Sequence, residues 1–548
     1  MKRVDRNIKG TRAASRVAWL ALCALSCFDV MGVSASPQHE AHEVAGQVPR
    51  EILERPVPLR QGIGKAHEAV ATSSPEAQAF YDQGLAYLHS FVWIEAARSF
   101  HQALRLDPSL AMAYLGLSDA NIGLQDFQAA RGAFEKAQSL AVNANGQVQE
   151  RIKIRAKQFD YLEDSGNLQK YFAYRLAITD ALAARPDDPW LWILRGFADE
   201  GTPLAHGQGG GVDTIAFYQT ALAFSPENFA AHHYLAHTLE SHGPPDKALV
   251  QSEEYVRLAP AIPHAHHMRG HDLRRLGRTE EAIREFLKAE ELENTYYRTE
   301  NIPAQYDWHH AHNLQLLAMS YQALGQMTAA EAVFREAFSL PANVDFAEFN
   351  RRAWPEFLLE RGRVQEALSA SQELQKGRWA MGRFAGHALA GRALLAMNRV
   401  EDARSELALA EQEMEQLPAS VIKSLQDTVL LRAEIMLSEK KWDKGNPLLE
   451  QVEEQLVAVP GPDAWSEAIF QLDSIARLAR DMGDWELAEF TAQKMIEHDP
   501  SFAGGHFARA LVAEHQGDTL TAHRELAAGE KLWRKADPDL QRPQIQRQ

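Results

Sequence analysis

The chain has 548 residues, of which 45% are hydrophobic and 24% charged, and a formal net charge of −17. That composition belongs to a folded rather than a disordered protein, and the length exceeds what one compact core supports unless the chain is a repeat array. The acidic balance repels phosphate backbones and excludes nucleic acid as a general partner.

At the N-terminus, Lys2, Arg3, Arg6, Lys9, Arg12 and Arg16 precede an apolar run from Val17 to Cys27, and Val33-Ser34-Ala35 offers a small-residue cleavage site. The pattern predicts a signal peptide over 1–35, cleaved near Ala35, and a periplasmic or secreted mature chain. The run is shorter than the roughly 20 residues that a transmembrane helix needs, Asp29 interrupts it, and no later segment is apolar enough to span a bilayer. Cys23 and Cys27 are the only cysteines, so beyond this leader no thiol remains for disulfides, zinc–thiolate sites or nucleophilic catalysis. Residues 36–75, with their Pro, Gln, His and Glu, read as a flexible lead-in.

From residue 77 a 34-residue period emerges. Gly84, Tyr87, Ala96, Phe100, Ala103 and Pro108 stand at positions 8, 11, 20, 24, 27 and 32 of the first unit, and Tyr114, Ala130, Phe134 and Ala137 at positions 4, 20, 24 and 27 of the second. Small residues at 8, 20 and 27 let two helices approach closely, and aromatics fill the spaces between them. This pattern resembles the tetratricopeptide repeat, a pair of antiparallel helices. It recurs in units beginning at 229, 263, 311, 384, 469 and 503. A degenerate unit begins at Pro189, with Trp192 and Gly196 at positions 4 and 8 and about six extra residues in the glycine-rich turn within Gly201–Gly211. The expected fold is therefore all-α, a right-handed solenoid of antiparallel helix pairs. It is divided into a repeat pair at 76–144, divergent repeats with a Gly-rich insertion at 145–228, histidine-rich units at 229–344, C-terminal units at 345–536 and a polar tail at 537–548. Segments 145–188, 345–383 and 418–468 match the repeat weakly, so their part in the solenoid stays open at this stage.

Eleven of the 22 histidines fall between His232 and His312. His233, His237 and Glu240 take positions 5, 9 and 12 of their unit, His264, His267 and His271 take positions 2, 5 and 9 of the next, and His312 takes position 2 of the unit at 311. At 100° per residue these positions lie on a different face from the packing positions 4, 7, 8 and 11. The resemblance implies that this face lines the concave groove. His233 and His267, like His237 and His271, are one repeat apart and are expected side by side, converging on a shared ion. By contrast His232 and His266, at position 4, read as packing residues, and His242 and His309 as turn or solvent residues.

A narrower resemblance covers residues 190–345. His233-Tyr234-Leu235-x-His237-x-x-Glu240, His264-x-x-His267-Met268-x-x-His271 and the terminal His312-Asn313 are similar to paired signatures of a group of bacterial tetratricopeptide proteins. That group implies no particular activity.

The candidate metal ligands are thus His233, His237, Glu240, His264, His267, His271 and His312. Imidazoles and a carboxylate without thiolates suit a divalent transition metal such as zinc, iron or copper rather than calcium. Seven candidates exceed the four that a closed zinc site uses, which leaves room for an open centre or for two ions. Tyr234 stands where a zinc protease H-E-x-x-H motif needs its glutamate, and Gly209-Gly210-Gly211 lacks the Lys-Ser/Thr of a phosphate-binding loop. His206 in that loop is a further ligand candidate. The expected function is an exported repeat scaffold whose histidine-rich groove binds a transition metal, with a protein or peptide partner in the groove. The alternatives are a metal-dependent hydrolase or oxygen-using enzyme, and a metal-free peptide-binding module. No catalytic residue is assigned.

Overall fold

The protein is described by a computed structural model covering residues 48–200, 207–208, 210–342, 344–540 and 542–543. The signal-peptide segment 1–35, His206 and most of the glycine-rich turn lie outside the described residues. Among the described residues there is no strand, and no helix is long and apolar enough to cross a membrane.

Helix follows helix in antiparallel pairs, beginning with Pro75–Leu88 against Trp93–Leu106 and Ala111–Gly123 against Phe127–Leu140. The packing positions explain why. A Cβ on Gly84 would stand 2.5 Å from the Phe100 ring, and one on Gly270 equally 2.5 Å from Phe286, so only glycine lets the paired helices close at these points. Gly196 meets Tyr218 in the same way. That pair is separated by six more residues than the other two, which matches the insertion expected in the turn between Pro189–Asp199 and Thr214–Phe224. The all-α solenoid of helix pairs expected from the period is the fold observed.

The turns inside the pairs repeat as well. The turn adopts a left-handed backbone at one residue, filled by Gly277, Gly325, Gly362, Gly483 and Gly517 in five pairs but by Phe91, Gln125, Asn398 and Lys440 in four others. Side chains entering a helix start supply caps: Asn228 accepts from Ala231 N–H and Asp307 from His309 N–H. Helix pairing also continues through the weakly matching segments, with Gly146–Leu162 against Leu168–Ala184 and Asp427–Ser438 against Trp442–Ala458.

Three first helices carry the histidines: Phe229–His242, Pro263–Arg275 and Trp308–Ala323. Described segments from both sides in sequence pack around them and the intervening helix Thr279–Glu300. From the N-terminal side, Arg60 pairs with Glu300, Tyr296 donates to Glu95 at 3.0 Å, and the Trp308 indole N–H faces the Phe91 carbonyl at 3.4 Å. From the C-terminal side, the helix Pro462–Met482 packs on the second and third histidine helices. Arg274 there forms a buried ion pair with Asp499 at 2.7 Å and stacks over Trp465.

Candidate metal centre

The seven residues expected as ligands come together, but not in an open groove. His233 and His267 have no exposed surface, and His264, His271 and His312 are buried with them. The cover comes from far along the chain. The Phe91 ring lies 4.6 Å from the His233 ring and 5.2 Å from His264, centroid to centroid, and Asp463 approaches from the other side. The expectation of a solvent-lined groove is corrected accordingly: residues distant in sequence cover the histidine face.

The rings divide into three overlapping triads, in each of which one donor atom per residue lies within 4.8 Å of the others. These are His233–His237–His264, His264–His267–His309 and His267–His271–His312. A second correction follows. Rings one repeat apart, 233 with 267 and 237 with 271, do not share a triad. Each outer triad instead joins positions 5 and 9 of one unit to position 2 of the next.

Three short contacts define the first triad. His237 Nε2 lies 3.1 Å from His233 Nε2 and 3.3 Å from His264 Nε2, and the last two are 3.0 Å apart. His233 donates its Nδ1–H to the carbonyl of His89 at 2.8 Å, so its Nε2 carries a bare lone pair. His237 places Nδ1 3.5 Å from Glu240 Oε2. Lone pairs directed at one another in this way repel unless a proton or a cation lies between them. Nitrogens at about 2.0–2.1 Å from one ion stand about 3.0 Å apart at octahedral angles and about 3.4 Å apart at tetrahedral ones. The observed triangle falls within that range.

The remaining rings are oriented by the same device. His267 donates Nδ1–H to Asn313 Oδ1 at 3.0 Å, and Asn313 is itself fixed by donating to the Phe286 carbonyl at 3.0 Å. His309 gives Nδ1 to Glu293. In both rings Nε2 is buried without a partner. Holding a ligand ring through its other nitrogen, on a carboxylate or a carbonyl, is how proteins aim metal-binding histidines. In the third triad His312 Nε2 lies 3.7 Å and His271 Nε2 4.0 Å from the two oxygens of Asp463, and His271 Nδ1 lies 3.3 Å from Glu240 Oε1.

Electrostatics keep most of these rings neutral. Burial, followed by repulsion from neighbouring histidines, holds His233, His264 and His267 well below the ordinary histidine value, and burial lowers His312 to about 4 although Asp463 opposes it. His271 is the exception. Burial pulls it down, but Glu240 outweighs burial and raises it; in return His271, with His237, outweighs burial at Glu240 and lowers that carboxyl.

His232 and His266 serve packing, as expected. Each turns Nδ1 to a side chain 19 residues on (Gln251, Glu285) and Nε2 to a proline carbonyl six residues back. His506 repeats the arrangement with Glu525 and Pro500. His309, read from the sequence as a turn or solvent residue, is instead buried in the middle triad. Cap Asp307 starts its helix one turn ahead of the 34-residue register, and the spacing of His309 to His312 on one helix face was the available signal. Asp463 and Glu293 were not foreseen.

Residues 311–343 match the family model for the tetratricopeptide repeat. Yeast Tom70 is similar in structure over 78% of this chain and 93% of its own, at 14% identity and a TM-score of 0.38. YrrB, described as a TPR protein with an unusual peptide-binding site, is similar over 37% of this chain and 95% of its own, at 18% identity and a TM-score of 0.25. Cut9 in the APC/C hetero-tetramer Cut9–Hcn1 is similar over 83% and 87%, at 10% identity and a TM-score of 0.32. No curated protein sequence matches the chain.

Proposed function

We propose that this tetratricopeptide-repeat protein is a scaffold that holds a divalent transition metal on its three histidine helices. One observation carries the reading: three Nε2 atoms 3.0–3.3 Å apart, of which that of His233 has no proton to share. A buried polar cluster left in that state is costly, and an ion bonded to all three converts the repulsion into attraction. All-imidazole donors favour zinc, copper or iron over magnesium or calcium. The basic-then-apolar N-terminus supports an exported, periplasmic or secreted location, where the protein would hold or deliver the ion to a protein partner. Since the array is closed, that partner docks on the outer repeat surface rather than on the histidines.

The test is elemental analysis of protein purified without an affinity tag. Stoichiometric metal that survives dialysis and is absent from a His237→Ala/His271→Ala double variant is expected. Metal-free wild-type protein that also takes up no zinc, copper or iron on titration sinks the reading.

A second reading, an ion with an open position that activates water or oxygen, is favoured by one feature. A cavity of about 100 Å³ adjoins the array, lined by His264 and His309 together with Glu293, Tyr296 and Asp307. Oxygen consumption and exchange of labelled water by the metal-loaded protein test it, and inert behaviour in both leaves the scaffold alone.

A further inference from the structure

The two outer triads are one constellation written twice. His233, His237 and His264 occupy positions 5 and 9 of one unit and position 2 of the next, and His267, His271 and His312 occupy positions 5, 9 and 2 one unit later. They have no residue in common. The middle triad takes His264 from one and His267 from the other, and His267 has only Nε2 to offer because its Nδ1 is bonded to Asn313. The middle triad therefore cannot fill while both outer ones are occupied.

Two carboxylates distinguish the copies. Asp463, brought in on the helix Pro462–Met482, sets one oxygen 3.7 Å from His312 Nε2 and the other 4.0 Å from His271 Nε2, and its Oδ1 is buried without a hydrogen-bond partner. It approaches two rings of the second triad and leaves one carboxylate oxygen unengaged beside them. Glu240 lies between the copies, with Oε2 3.5 Å from Nδ1 of His237 and Oε1 3.3 Å from Nδ1 of His271. Both contacts leave Nε2 to face the ion, so Glu240 is a positioning residue for one ring of each triad and not a ligand.

We propose that the array holds two metal ions at once, the first on the three imidazoles of the first triad and the second on the three imidazoles of the second triad plus the Asp463 carboxylate. This rests on the metal-holding reading above and adds to it the number of ions, the division of ligands and the role of Asp463.

Zinc alone is the probe. The full-length protein is loaded with excess zinc, passed through a desalting column and assayed for bound metal, beside Asp463→Asn and His233→Ala/His237→Ala variants whose helical content and melting are checked by circular dichroism. Two equivalents are expected in the wild type, one in His233→Ala/His237→Ala, and in Asp463→Asn a second equivalent bound at least about 10-fold more weakly in competition with a chelator. One or three equivalents in the wild type, or a second equivalent bound as tightly by Asp463→Asn as by the wild type, overturn the inference while leaving metal binding intact, whereas none in the wild type overturns both. Copper(II) provides a readout on the unaltered protein. Two equivalents should give a paramagnetic resonance spectrum with spin–spin coupling that one equivalent lacks, and a spectrum of isolated ions at both loadings overturns the two-centre arrangement.

Discussion

Glu240 faces His237 with one carboxylate oxygen and His271 with the other, at 3.5 and 3.3 Å, and so ties two successive repeats through one buried side chain. Substituting Glu240→Gln keeps the shape and removes the charge that orients both rings. Loss of such an outer partner weakens metal affinity about 10–100-fold. Competition titration against a chromophoric zinc chelator should show both centres weakened together. Unchanged affinity would refute the positioning role.

Phe91 occupies a turn position where other units have glycine, with φ of 58°. A left-handed backbone costs a residue with a Cβ about 1–2 kcal/mol, and glycine close to nothing. The usual ranking should therefore invert here. Phe91→Ala and Phe91→Gly both lose the ring that covers the first triad, yet the glycine variant should be the more stable of the two by about 1 kcal/mol in denaturant titration. Equal stability, or a more stable alanine variant, would show that the turn is unstrained. Both variants should also exchange metal faster than wild type, because the cover is gone.

Gly270 lies directly beneath Phe286, whose ring centroid is 5.6 Å from that of His267 and whose carbonyl fixes Asn313. Overpacking a closed core typically costs about 1–3 kcal/mol. Gly270→Ala is expected to lower stability by that amount and to weaken the second centre by moving His267. Gly132→Ala, in the middle of the helix Phe127–Leu140 where an added Cβ meets nothing within 4 Å, serves as the control: it should raise stability by about 0.5–1 kcal/mol and leave metal affinity unaltered. A Gly270→Ala protein that melts like wild type would mean that Phe286 yields freely.

In the C-terminal half, burial pushes Glu360 up to about 8; Arg477 opposes this, and Asp473 and Glu356 add to it. The fold favours the protonated form, so this group's contribution to stability is fully present below the ordinary carboxyl range. It is lost as pH rises through about 8, at a rate of at most about 1.4 kcal/mol per pH unit. Thermal stability should accordingly fall between pH 6 and pH 9, and Glu360→Gln should flatten the decline. An equally steep profile in the variant would assign it to other groups.

Much of the fold could be read from spacing, because the glycine–aromatic pairs that join the helices are local: Gly84 with Phe100 and Gly270 with Phe286 lie within single units. The clustering of the histidines was legible for a related reason, since positions 2, 5 and 9 recur with the repeat. What escaped depends on contacts that no period encodes. The His89 carbonyl orients His233 from 144 residues away, and Asp463 arrives on a helix whose place beside Trp308–Ala323 follows only from how the superhelix closes. His309 was misplaced by a single helical turn, the one that cap Asp307 adds.

Because Phe91 covers the first triad and Asp463 flanks the second, the two proposed centres depend on segments far apart in the polypeptide. Detachment of the C-terminal hairpins would strip a carboxylate from one ion and leave the other still roofed by phenylalanine, while loosening of the first hairpin would do the reverse. Proteolytic trimming from either terminus should thus discharge the ions one at a time, in an order set by the end that is cut.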